Sequence, residues 1–110
     1  MTHSNVYYTA LLASDESGRV TSVLAHQTIE GGRLRAVMWS GRRKAWIYAP
    51  LLVANYLYAE DFLDRTRMID RPTAEQLARE VLQEELPSEQ TLLEMFDEGQ
   101  QMGWTLGPPR

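Results

Sequence analysis

Cysteine is absent from the 110 residues of this chain, and its absence excludes disulfide crosslinks, thiolate catalysis and cysteine-ligated zinc together. Histidine is scarce: His3 and His26 are the two present, a thin supply for a serine or threonine nucleophile that needs a base beside it. No stretch approaches the roughly 20 uninterrupted apolar residues of a membrane-spanning helix. The opening text MTHSNVYY has neither the basic start nor the apolar middle of a secretory signal. A cytoplasmic protein with no membrane partner is the expectation. A phosphate-cradling glycine loop is also missing, because EGGRLR (residues 30–35) has neither the required spacing nor a following helix.

What the chain does have is apolar content of 44%, enough at this length for one compact domain over residues 1–110 that buries roughly 60% or more of its unfolded surface. It also has a lopsided charge. The net value of −4 conceals a first half (residues 1–55) at +3 and a second half (residues 56–110) at −7. Ten of the eleven cations are arginine, with Lys44 the single lysine.

The text NVYYTALLA, residues 5–13, is rich in β-branched and aromatic side chains and runs into the turn formers SDESGR, which reads as strand then turn. VTSVLAHQTI and RLRAVMW alternate as strands do, and KAWIY resumes after SGRRK. An antiparallel meander of three or four strands follows from these runs. Pro50 changes the regime, since its fixed φ and missing N–H suit a first helical turn, and PLLVANYLYAED behind it carries apolar residues at helical spacing. This helix, near residues 50–60, is expected to pack most deeply on the sheet. FLDRTRMID reads as an irregular link in preference to a short edge strand. A helix over 73–86 is signalled by a capping box, Thr73 with Gln76, and by an apolar stripe of Ala74, Leu77, Ala78, Val81 and Leu82, with Pro87 as its stop. A third helix over 88–102 is capped by Ser88, buries Leu92, Leu93 and Phe96, and weakens at Gly99 or Gly103. The whole is an α+β fold, an antiparallel sheet of three to four N-terminal strands covered on one face by about three C-terminal helices.

No catalytic constellation is complete. His26 lies on a strand and reads as an inert, hydrogen-bonded or surface histidine, and Glu60, Asp61 and Asp64 read as a solvated helix end, with no His or Cys beside them to complete a metal site. The sequence therefore points away from an enzyme, with no catalytic residues, no metal ligands and no cofactor expected. Two binding readings remain. WSGRRKAW, residues 39–46, places Arg42, Arg43 and Lys44 between Trp39 and Trp46, with Arg33 and Arg35 on the preceding strand, and basic charge beside aromatics is what nucleic-acid binders use. That reading is the alternative, because a net-acidic body repels polyanions unless its basic patch is well segregated.

The leading reading rests on the helices. From Pro72 to Glu98 there are eight acids and one cation, Arg79. Like charges four residues apart, Glu80 with Glu84 and Glu94 with Glu98, cost each helix a few tenths of a kcal/mol. A one-signed face of that kind suits a basic partner reached by electrostatic steering. The expected role is a non-catalytic protein–protein interaction module, an inhibitor or immunity-type protein. Its expected partner-binding residues are Glu80, Glu84, Glu85, Glu94, Asp97 and Glu98, with Trp104 as an aromatic anchor.

Overall fold

The computed structural model describes residues 6–13, 15, 17–29 and 31–109; His3 and the Asn5 start expected for the first strand lie outside them. Four strands form the meander: β1 (Tyr7–Leu12), β2 (Val20–Ile29), β3 (Arg33–Ser40) and β4 (Ala45–Tyr48). A fifth, β5 (Thr66–Ile69), pairs antiparallel with β1, so the sheet runs β4-β3-β2-β1-β5. The segment read as an irregular link is thus an edge strand, preceded by a 3-10 turn over Glu60–Arg65. Its four residues alternate too briefly to announce themselves, and it is held by a register (Tyr8 with Ile69, Ala10 with Arg67) that only the folded chain supplies.

Pleat alternation sends the strands' apolar residues to both faces, and each face has its own core. On one face Tyr8, Ala25, Val37 and Tyr48 lie in one cross-strand row. They meet Ala74, Ala78, Leu92 and Phe96 from the helices α2 (Arg71–Leu77, continuing as a π turn over Ala78–Leu82) and α3 (Glu89–Met102). On the other face Leu24, Met38 and Ile47 form a row that meets Val53 of α1 (Pro50–Tyr58). The helices therefore do not share one face: the sheet is sandwiched, with α1 alone on its side.

Burial also reverses the expected ranking. Val53 is the one fully buried residue of α1, whereas α3 buries Leu92, Phe96 and Gly99. Each of the two large α3 side chains contributes about 1.5–3 kcal/mol of hydrophobic stabilisation. Leu51 and Tyr58 of α1 remain well exposed.

Local capping explains the helix ends. Ser88 caps α3 as its sequence signals, accepting from the Thr91 N–H at 3.1 Å. Gly103, in the left-handed region at φ 73°, closes it. Gly99 serves packing, because a Cβ there would stand 2.1 Å from Cδ2 of Tyr48. The α2 cap is Asp70 and not Thr73: the Asp70 carboxylate accepts from the Thr73 N–H at 2.9 Å, while Gln76 turns outward to Glu80. Helix α2 ends at Leu82, with Gln83 left-handed at φ 59°, so Pro87 is not its stop. The π turn breaks the 3.6-residue stripe and leaves Val81 on the surface.

Candidate partner-binding surface

The two helices of the larger core lie side by side, α2 over β1 and β2 and α3 over β3 and β4. The acids expected on them divide: Glu80 lies in the π turn, Glu84 and Glu85 follow it in the link to α3 and not on a helix, and Glu94, Asp97 and Glu98 lie on α3. At about 100° per residue, Glu94 and Glu98 stand on the side of α3 away from Leu92 and Phe96, and both are exposed. Glu80, Glu84 and Glu85, all exposed, surround the end of α2. Arg79 joins Gln83, Glu84 and Glu85 around an open depression of about 420 Å³, so one cation sits within this group.

Two acids of the layer are tied to arginines. Glu75 pairs with Arg71 at 3.3 Å, and Asp97 accepts from Nη1 of Arg35 at 2.7 Å. Glu80, Glu84, Glu85, Glu94 and Glu98 have no cation within ion-pair distance among the described residues. Asp97 therefore differs from the other five acids expected at a partner surface: it is exposed yet engaged within the fold. Trp104 is engaged too. Its side chain packs against the core under α2 and α3, and its backbone N–H donates to the Gly99 carbonyl at 3.1 Å.

The cations proposed for phosphate binding do not form one patch. Arg33 opens β3 and Arg42, Arg43 and Lys44 follow its other end, roughly 25 Å away at about 3.3 Å per residue. Arg35 faces the helices, 14% exposed, with Nε and Nη2 donating to the side-chain Oε1 of Gln27 and its guanidinium 5.3 Å from the Phe96 ring centre. Arg43 donates to the Pro108 carbonyl. Arg42 and Lys44 remain exposed in the β3–β4 turn, where Lys44 is left-handed at φ 53°. Trp39 and Trp46 are cross-strand partners packed edge to face at 5.5 Å. Trp39 is buried, and the buried indole N–H of Trp46 has no hydrogen-bond partner. The tryptophans are thus committed to the sheet. The long-range contacts of Arg35 and Arg43 had no local signature, since both partners lie more than sixty residues on.

His26 is buried on the α1 side of β2, with Nε2 2.9 Å from Thr9 Oγ1, and burial holds its pKa below the ordinary histidine value. No carboxylate is among its hydrogen-bond partners in the described residues. Glu60, Asp61 and Asp64 are exposed on the 3-10 turn, and no group of three metal-ligating side chains occurs among the described residues. No helix there is long and apolar enough to cross a membrane. Comparison with known proteins finds no matching family model, no matching curated protein and no matching solved structure.

Proposed function

We propose that this chain is a non-catalytic interaction protein of the inhibitor or immunity type, acting in the cytoplasm, which covers a basic surface of a partner protein with the outer side of α2 and α3. The observation that carries this reading is the set of five exposed carboxylates, Glu80, Glu84, Glu85, Glu94 and Glu98, that the fold leaves without cations of their own. Residues 70–102 hold nine acids against two cations. A surface of one sign speeds encounter with an opposite one and rejects like-charged competitors. Helix α3 accepts its like-charged Glu94–Glu98 spacing because tertiary packing of Leu92 and Phe96 outweighs a few tenths of a kcal/mol.

The test is affinity capture with the intact protein beside the double variant Glu84→Lys, Glu94→Lys. The reading expects one basic protein to be retained by the first and released by the second, with retention weakening as salt rises. If the intact protein instead binds nucleic acid with a steep salt slope that Arg42→Ala and Arg43→Ala reduce, masking of a basic protein is the wrong function.

A further inference from the structure

The C-terminal residues after α3 do not leave the molecule. Trp104 packs on the core of the α2–α3 face. The Thr105 carbonyl then accepts from the Leu51 N–H at 3.0 Å, beyond the end of β4. Gly107 approaches Ile47 of β4, where a Cβ would stand 3.1 Å from Cδ1, and the Pro108 carbonyl accepts from Arg43, ahead of β4's start. Residues 105, 107 and 108 thus meet residues 51, 47 and 43 in turn, so the tail runs antiparallel alongside β4.

It is not a sixth strand. Pro108 and Pro109 have no N–H to give a ladder, and no backbone bond joins the tail to residues 45–48 among the described residues. The Ala49 N–H bonds the Ala36 carbonyl, so alternation along an antiparallel pair turns Ala45 and Ile47 toward β3 and points the backbone groups of Trp46 and Tyr48 outward.

The two edges of the sheet are unequally defended. Both are four residues long and both follow cations, but β5 carries exposed Arg67 within the strand, a charge that discourages edge pairing. Strand β4 reads AWIY, uncharged and rich in residues that favour strands. We propose that residues 104–109 are a strap that closes the β4 edge against strand addition by a second copy of this chain. A second copy offers the same uncharged edge, and two β4 strands pairing about a two-fold axis would exchange the ladder bonds the tail cannot make.

The test uses full-length variants that loosen the strap from both sides. Arg43→Ala removes the anchor on an exposed turn with no demand on the core. Gly107→Val adds a branched side chain against Ile47 at a φ of 102° that such side chains rarely adopt, and it brings no charge to the neighbouring Arg43. At concentrations where each variant is monomeric, hydrogen exchange at the Leu51 amide, which donates to the Thr105 carbonyl, is expected to quicken about tenfold or more, while amides of α2 keep their rates. Sedimentation of the same samples is expected to show dimer growing with concentration, and the unaltered protein to stay monomeric over the same range. Unchanged exchange at Leu51 overturns the strap, and so does faster exchange there in variants that remain monomeric at every concentration. A dimer whose formation leaves β4 exchange as fast as in the monomer overturns pairing through this edge.

Discussion

Arg35 of β3 and Asp97 of α3 meet at 2.7 Å across 62 residues of sequence, and the two sides of the pair are unequally buried, 14% exposed for the arginine and 64% for the aspartate. Losing Asp97 leaves Arg35 its two bonds to Gln27 and its place over Phe96. Losing Arg35 removes all of these together. Asp97→Ala is therefore expected to cost about 0.5–1 kcal/mol, as exposed partners do. Arg35→Ala is expected to cost about 2–4 kcal/mol through lost packing and the stranded Gln27 amide. Urea unfolding of both variants and their double mutant measures the difference, and equal losses would contradict it.

Gly99→Ala sets helix propensity against packing. An alanine in mid-helix gains up to about 1 kcal/mol over glycine. Here, however, the new methyl falls within 2.7 Å of Cβ, Cγ and Cδ2 of Tyr48, which the sheet holds in place. Overpacking of this kind costs about 1–3 kcal/mol or more, so a lower Tm is expected, and a higher one would show that α3 can lift from β4 freely.

Helix α2 offers a test of which residue caps it. Asp70→Ala removes the acceptor for the Thr73 N–H and is expected to cost about 1 kcal/mol. Thr73→Ala retains that N–H and should cost less than half as much. Chemical denaturation of the two variants decides the order, and the reverse order would restore Thr73 as the cap.

Stability is expected to fall with acid in two windows. Burial depresses the His26 pKa below 6.5. Above that value folded and unfolded chains both hold a neutral ring; as pH drops below it the unfolded chain takes up a proton that the folded chain refuses, and stability declines. Asp70, whose pKa is lowered from 3.8 by the Thr73 hydrogen bonds, stabilises the fold fully above that value and loses its contribution as pH falls further. Urea midpoints from pH 7.5 to 3 should show both limbs, and His26→Gln should flatten the upper one. An unchanged slope near pH 6 in that variant would place the titration elsewhere.

The strand meander, the three helices and the Ser88 cap were legible because each rests on local rules: alternation, apolar spacing and a hydroxyl at the right step. What escaped is nonlocal. Strand β5 exists because β1 has a free side to pair with, and nothing in TRMI encodes that. The split of helices between two faces depends on how Pro50 turns the chain after β4, a direction no periodicity reports. The acids from Glu75 to Glu98 were visible as residues, yet the withdrawal of Asp97 into a bond with Arg35 was not, because the arginine comes from a strand 62 residues away. The same holds for the basic hairpin, whose neighbour Pro108 arrives from the far end of the chain.

The position of β1 between β2 and β5 has a bearing on how the chain is born. Synthesis delivers β1 first and β2 soon after, but the neighbour for its other flank, Thr66–Ile69, emerges more than fifty residues later. At about 5–20 residues per second that is a wait of roughly 3–11 s. Throughout that interval a nascent hairpin bearing Tyr8, Ala10 and Leu11 shows a raw margin to the crowded surroundings of the ribosome, and completion of the sheet is timed by translation itself.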